Sequence, residues 1–273
     1  MRSAIIKIIA VLLLPLLLVS CFRAPAGGDV ISPGELEEKF TSDEYKIAIF
    51  ENGDPYGFFA RNDRGNGPPF NCSFMRSNAV IENGKLSLVL SEEKGGYVGA
   101  EYRSWGKTGY GFYSVSMKAA SCPGVISSFF IYNGFPWDEI DIEFLGDDTT
   151  RVQFNYYTNG VGGHEYIYDL GFDASEEFHE YAFDWQEDSI TWYVDGSAVY
   201  KATSDVPKTP GNIMMNLWNV KDTHASWAGK FDRDRLPVYA EYQWIGYQEA
   251  DQNAVIYKQL FTKLGGNYEK KNL

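Results

Sequence analysis

Four carboxylates stand close together in the stretch WDEIDIEFLG, which is otherwise largely apolar. They are Asp138, Glu139, Asp141 and Glu143. Because the side chains of a β-strand point alternately to its two faces, a strand here puts Trp137 and the last three carboxylates on one face. The opposite face is mostly apolar and is expected to anchor the strand in a core.

A row of carboxylates suits the hydrolysis of a glycosidic bond. Like charges about 6.6 Å apart repel, so the pKa of at least one group should rise. A glycosidase needs one protonated carboxyl and one ionised carboxylate. Glu139 and Glu143 lie about 13 Å apart at Cα, but their side chains can lean together on a concave sheet. A separation of about 5 to 5.5 Å would indicate a retaining mechanism, with Asp141 placed to hydrogen-bond one glutamate.

Two other interpretations of this strand are a solvated acidic edge and a calcium-binding face. Calcium prefers ligands from loops and backbone carbonyls over a flat row of side chains. The row therefore favours chemistry over metal binding.

Short alternating segments separated by turn signals predict the scaffold that positions the row, a sandwich or barrel of antiparallel strands. In GKLSLVLSEE, leucines 86, 88 and 90 share one face, and RVQFNYYTN alternates apolar residues with polar and aromatic ones. Asp195-Gly196 predicts a two-residue type I′ hairpin turn. We expect one mostly-β domain over about residues 40–248, followed by a tail at 249–273.

Composition excludes several classes of function. The net charge of -13 argues against a nucleic acid or an anionic membrane surface as partner, whereas a neutral substrate is compatible. The sequence has no Gly-x-Ser-x-Gly elbow, phosphate loop or dinucleotide fingerprint. No cofactor is expected, because two carboxyl groups suffice for glycoside hydrolysis. We expect a monomer.

The N-terminus predicts export. Residues 1–20 place Arg2 and Lys7 ahead of an apolar run, which is typical of a secretory signal. The following Leu-Val-Ser-Cys resembles a bacterial lipobox, so Cys21 is the expected lipidation site and residues 21–39 a tether. Cleavage after Ala26 or an uncleaved anchor are the alternatives. The protein is thus expected in the cell envelope as a lipoprotein or secreted, touching a membrane only through an N-terminal lipid.

Two further cysteines, Cys72 and Cys122, are expected to form one disulfide or to be buried thiols. Fifty positions separate them and no His stands at ligand spacing, so they match no zinc pattern.

WDEIDIEFLG resembles the catalytic strand of family 16 glycoside hydrolases, and the wider sequence is similar to the bacterial lichenases, which are endo-β-1,3-1,4-glucanases. The similarity runs roughly from residue 66 to 247. It rests on GYGFYSVSMKA, GVISSFF, DTTRVQFNYYTNGVGGHE, LGFDAS, YAFDWQ, ITWYVDG and TPGNIMMNLWN. The resemblance implies an all-β jelly-roll sandwich of two antiparallel, concanavalin-like sheets with a substrate cleft across the concave one.

The resemblance also implies roles for individual residues. Glu139 would be the nucleophile, Glu143 the general acid and then base, and Asp141 the assisting carboxylate. Glu-x-Asp-x-Glu without an extra residue is the form seen in lichenases and plant xyloglucan transglycosylases, whereas laminarinases typically have an insertion. The implied substrate-binding residues are Asn66, Glu101, Arg103, Phe130, Tyr132, Trp137, Asn155, Tyr157, Glu165, Asn216 and Trp218. Phe130 and Trp218 could instead be core residues, and Glu101 with Arg103 only an ion pair.

Several positions depart from the family pattern. Gly99 stands near the place of the cysteine that usually pairs with the one in FNC. Gln243 stands where an aspartate usually binds a structural calcium, which puts calcium in doubt. Arg64 replaces a common aromatic, and the NGFP loop after Tyr132 is short. The last two changes predict an altered cleavage preference.

The sequence therefore favours a retaining endo-glucanase that hydrolyses β-1,4 bonds in mixed-linkage β-1,3-1,4-glucan. Alternatives are an endo-glucanase acting on β-1,3-glucan or xyloglucan, and a surface protein that binds glycans without cutting them.

Overall fold

The computed structural model describes residues 46–250 apart from 51, 52, 54, 56, 63, 64 and 66, together with a two-residue strand at Gly28–Asp29. The predicted signal segment, Cys21, most of the tether, the tail beyond residue 250, Arg64 and the candidate Asn66 lie outside the described residues. Within the described ranges, no helix is long and apolar enough to span a membrane.

The described residues are mostly β-strand. In chain order the strands are β1 (Gly28–Asp29), β2 (Lys46–Ile49), β3 (Phe58–Ala60), β4 (Cys72–Phe74), β5 (Ala79–Glu82), β6 (Lys85–Glu93), β7 (Gly96–Thr108), β8 (Gly111–Lys118), β9 (Val125–Tyr132), β10 (Glu139–Leu145), β11 (Arg151–Tyr157), β12 (Tyr166–Asp169), β13 (His179–Trp185), β14 (Ile190–Val194), β15 (Ser197–Ala202), β16 (Gly211–Asn219) and β17 (Val238–Glu249). The helical elements described are α1 (Ala225–Ala228) and 3-10 turns at Arg76–Asn78, Asp222–His224 and Arg233–Arg235.

Apart from β4, which pairs in parallel with β7, the strands form two antiparallel sheets. The first has the order β3-β7-β16-β9-β10-β11-β12. The second has the order β5-β6-β17-β8-β13-β14-β15-β1, with β2 also on β17. The end of strand β6 pairs with the start of β7, and this pairing links the two sheets at one edge. This jelly-roll-like arrangement confirms the predicted fold class.

The core lies between the two sheets and follows the alternation seen in the sequence. Ile140, Ile142 and Phe144 of β10 are fully buried, as are the three leucines of β6. The rings of Phe129 on β9 and Phe183 on β13 lie 6.0 Å apart across the sandwich. Because β10 buries its apolar face in this way, its carboxylates must point to the outer face of the first sheet.

The hairpin between β14 and β15 has the predicted turn. Asp195 and Gly196 have φ angles of 46° and 74°, which the two central residues of a type I′ turn require. The prediction of this turn is therefore confirmed.

Cys72 and Cys122 are both buried and free, so buried thiols are the alternative that the structure supports. Gly99 lies against Cys72, since a Cβ built on Gly99 would lie 3.0 Å from the Cys72 sulfur. The glycine thus occupies the place where the resemblance expects a partner cysteine.

Candidate active site

Glu139, Asp141 and Glu143 lie in a row on the outer face of the first sheet, which we call the carboxylate face. Strand β10 begins at Glu139, so Trp137 and Asp138 precede the strand and do not extend it as the sequence pattern suggested. Directly opposed residues of antiparallel strands share a face. The row is therefore flanked by Tyr132, Phe130 and Ser128 of β9 and by Tyr157, Asn155 and Gln153 of β11.

Burial raises the pKa of all three carboxyl groups. For Glu139 the charge of Glu143 adds to this effect, and for Asp141 the charges of Glu139 and Glu143 do so. A hydrogen bond joins Asp141 and Glu139; it lowers the pKa of Glu139 and raises that of Asp141. A protonated Asp141 can therefore donate to Glu139, and this bond favours the ionised form of Glu139 against the effect of burial.

The indole of Trp137 holds the Glu139 carboxylate. Its Nε1 donates a hydrogen bond of 2.5 Å to Glu139 Oε2. The indole also stacks on Tyr157, with ring centroids 4.8 Å apart and planes 17° apart. The backbone of Trp137 has φ 68°, and its carbonyl accepts a hydrogen bond of 2.8 Å from the N–H of Gly160. Trp137 thus both positions Glu139 and offers a half-exposed ring beside it.

We predict that Trp137→Phe lowers kcat/KM for the glycoside hydrolysis expected of this row about 10- to 100-fold, the usual cost of losing a hydrogen bond to a charged group. Phenylalanine keeps a ring over Tyr157 but cannot donate to Glu139. The pKa of Glu139 should rise, because a bond that stabilises its ionised form is gone. A pH profile of kcat/KM whose acidic limb shifts upward supports this result, and an unchanged limb contradicts it.

Glu143 has a different support. Gln153 Nε2 donates a hydrogen bond of 2.9 Å to Glu143 Oε2, and Trp227 Nε1 donates one of 3.1 Å to Gln153 Oε1. The first bond lowers the pKa of Glu143 against the effect of burial. Neither Gln153 nor Trp227 was predicted as a site residue. The polar face of RVQFNYYTN was a signal for Gln153, whereas nothing in the local sequence points to Trp227.

Asp138 is buried and holds two loops together through hydrogen bonds, away from the carboxylate row. It is 3% exposed and accepts hydrogen bonds from the backbone N–H groups of Asn159, Lys208 and Thr209 at 2.8 to 3.0 Å. Burial opposes its ionisation, but these bonds outweigh burial and lower its pKa. Asp138 therefore ties the loops after β11 and before β16 to the start of β10.

We predict that Asp138→Ala lowers the free energy of unfolding by about 3 kcal/mol near neutral pH. The contribution of Asp138 is fully present above the unfolded-state pKa of about 3.9 and is lost as pH falls through the lower folded-state pKa. Urea unfolding should therefore show a gap between wild type and variant that narrows with acidification. The exposed Asp169→Ala serves as control, and a gap independent of pH would contradict the assignment.

Glu101 and Arg103 lie on the carboxylate face at β7. Glu101 is 1% exposed, and its Oε1 lies 3.4 Å from Arg61 Nη1 and 3.5 Å from Arg103 Nη1. Burial raises its pKa despite the two arginines. Arg103 Nη2 also donates a hydrogen bond of 2.8 Å to Asn212 Oδ1. Glu101 thus lies beneath two guanidinium groups and fixes them.

The other predicted binding residues differ in exposure. Tyr132 is half-buried and Glu165 is exposed near the row, where its charge acts on Asp141 and Glu143. Asn155 is buried, and Asn216 accepts a hydrogen bond of 2.6 Å from the Ser128 hydroxyl. Two of the predicted aromatic binding residues are buried, Phe130 at 6% and Trp218 at 4% exposed, and Trp218 packs on Phe70.

Gln243 stands where the resemblance expects a calcium-binding aspartate. Its neutral amide oxygen accepts a hydrogen bond of 3.0 Å from the Ser116 hydroxyl. Among the described residues, no three His, Cys, Asp or Glu side chains are grouped to hold a metal ion.

Comparisons with known proteins agree with this geometry. The chain is 50% identical over 208 residues to a beta-glucanase of Acetivibrio thermocellus, covering 74% of this chain and spanning 61% of that relative's length. It is 44% identical to the beta-glucanase of Bacillus subtilis, covering 89% of this chain and 98% of that protein.

A solved structure of a prokaryotic beta-1,3-1,4-glucanase (lichenase) from a mouse hindgut metagenome superposes with a TM-score of 0.72 at 47% identity. That match covers 76% of this chain and 99% of the other. The family model for glycosyl hydrolases family 16 matches residues 66–244, which include the whole carboxylate row. The chain therefore belongs to glycosyl hydrolases family 16.

Proposed function

We propose that the protein is a retaining endo-glucanase that hydrolyses β-1,4 bonds in mixed-linkage β-1,3-1,4-glucan. The observation that carries the proposal is the row of Glu139, Asp141 and Glu143 on one face of β10, with their pKa values raised by burial. Two glutamates that flank an aspartate on one face supply the two carboxyl groups, one acid and one nucleophile, that a retaining mechanism needs.

The reaction proceeds by two displacements. Glu143 in its protonated form donates a proton to the glycosidic oxygen while the Glu139 carboxylate attacks the anomeric carbon, which breaks the bond to the leaving sugar. Glu143, now ionised, takes a proton from water, and the water oxygen displaces Glu139 from the anomeric carbon. Asp141 returns its hydrogen bond to Glu139 as that carboxylate is released.

The regular pairing of β10 supports the lichenase type of specificity. Residues 139–145 pair with β9 in unbroken register, so the motif contains no bulge. The uninterrupted form is the one seen in lichenases and plant xyloglucan transglycosylases rather than in laminarinases, and the relative from the mouse hindgut metagenome carries the lichenase name. The chain spans only 61% of the Acetivibrio thermocellus relative, so the specificity is proposed from the domain that both share.

Initial rates on purified polymers test this proposal. Reducing ends released from barley β-glucan, laminarin, xyloglucan and carboxymethylcellulose should show strong hydrolysis of barley β-glucan alone. Release from laminarin or xyloglucan would assign the protein to one of those substrates instead. Binding to barley β-glucan without release from any polymer would favour a non-catalytic glycan-binding protein.

We also propose that Cys21 carries lipid and holds the protein at a bacterial membrane, where it meets glucan outside the cytoplasm. The motif Leu-Val-Ser-Cys after the apolar run supports this proposal. Expression of the full chain and of Cys21→Ser in the presence of a radiolabelled fatty acid, followed by membrane fractionation, tests it. The variant should lose its lipid label, and equal labelling of both chains would contradict it.

A further inference from the structure

Trp105 is an exposed aromatic residue that the chemistry described above does not use. Its side chain is 69% exposed, and one face of its indole stacks on Phe59, with ring centroids 3.9 Å apart. A large apolar side chain so open to water has no role in the core, and stacking on Phe59 leaves its second face free. An open indole face suits the C–H face of a sugar ring.

The register of the first sheet locates this pair relative to the carboxylates. Phe59 pairs with Arg103, Arg103 with Met214, Met214 with Phe130 and Phe130 with Asp141. All five residues therefore share the carboxylate face and form a line across the strands. Four steps of about 4.8 Å put Phe59 about 19 Å from Asp141. The pair lies several sugar units from the catalytic row.

An irregularity in β7 presents Trp105 at this position. Pairing with β16 shifts register between Arg103 and Lys107, which is the mark of a bulge. The Asn212 amide pins the bulge by donating to the carbonyls of Ser104 and Gly106 at 3.0 and 3.1 Å. The N–H of Trp105 donates to the carbonyl of Gly57 at 2.8 Å. The backbone that carries the indole is therefore fixed before any ligand binds.

We infer that Trp105, backed by Phe59, is a distal sugar-binding subsite at the β3 end of the carboxylate face. It would take a pyranose unit of the same glucan chain that the carboxylates cut, so the inference rests on the proposed function. An extended polymer that runs across the strands would reach both places, whereas a short oligosaccharide at the carboxylates would not.

The test compares a long and a short substrate. Trp105→Ala should raise KM for barley β-glucan about three- to tenfold, the range of one aromatic contact, with kcat nearly unchanged. The same variant should hydrolyse an aryl cellobioside at the wild-type rate, because a disaccharide does not extend to Trp105. Trp105→Phe should recover most of the affinity. Tyr239→Ala, which removes a 48% exposed aromatic from the other sheet, is the matched control.

Binding can be measured without hydrolysis, so the inference and the proposed function can fail separately. Native gels containing barley β-glucan should retard Glu139→Gln strongly and the double variant Glu139→Gln/Trp105→Ala much less. Equal retardation of the two, or an equal change of KM on long and short substrates, would overturn the subsite. Failure of the wild type to release reducing ends would refute the catalytic proposal alone.

Discussion

Glu139→Ala is expected to lower kcat for β-glucan by about four orders of magnitude or more, as the loss of a covalent nucleophile usually does. Alanine removes the attacking carboxylate, and neither the shorter Asp141 beside it nor Glu143 beyond Asp141 occupies the position that Glu139 leaves. Without the first displacement no glycosyl-enzyme forms. Steady-state release of reducing ends from barley β-glucan measures the loss.

Rescue by azide tests whether Glu139 is the nucleophile, which a loss of activity alone does not establish. With Glu139→Ala and an activated aryl glycoside, azide can enter the vacant space and give an α-glycosyl azide, whose stereochemistry proton NMR reports. A β-product, or no rescue together with substantial residual activity, would contradict the assignment of Glu139 as nucleophile.

A matched control for this change exists on the second sheet. Burial and the neighbouring Asp195 raise the pKa of Glu180 to about 7. Its pKa is therefore raised like those of the carboxylate row, although Glu180 lies on a strand of the other sheet. Glu180→Gln should keep wild-type turnover. If it lost activity as Glu139→Ala does, the effect could not be attributed to the carboxylate row.

Glu143→Ala is expected to lower kcat on β-glucan about 10²- to 10⁴-fold, the usual contribution of a general acid or base. Formation of the intermediate from a dinitrophenyl glycoside should be nearly unaffected, because that leaving group departs without a proton. Azide should then attack the glycosyl-enzyme and yield a β-glycosyl azide. An α-product would indicate that Glu143 is the nucleophile and Glu139 the acid and base.

The pH profile provides a second readout for Glu143. Burial raises its pKa, so in the wild type the protonated form needed for the first step persists toward neutral pH. The basic limb of kcat/KM reports this group and should vanish in Glu143→Ala on the dinitrophenyl glycoside. A basic limb that persists unchanged would mean that another group is the acid.

Much of this arrangement could be predicted from local alternation. The pattern of β10 indicated which side chains enter the core and which face outward, since strand periodicity is a property of the backbone alone. Residue contacts across long sequence distances were not predictable. Trp227 and Gln153 are 74 positions apart, and the bulge that carries Trp105 is pinned by Asn212 from 106 to 108 positions away. Such contacts depend on how strands pair, which a single sequence does not state.

The backbone conformation of Trp137 lowers the stability of the fold, whereas its indole supports turnover. A bulky residue at φ 68° costs of order 1 kcal/mol or more, and the bond from Gly160 helps to hold it there. Glycine or asparagine would relieve that cost but would remove the indole that holds Glu139. A laboratory selection for thermal tolerance alone would therefore favour small residues at position 137. The selected enzymes would have a higher free energy of unfolding but a lower kcat. Screens on this scaffold should score both properties at once.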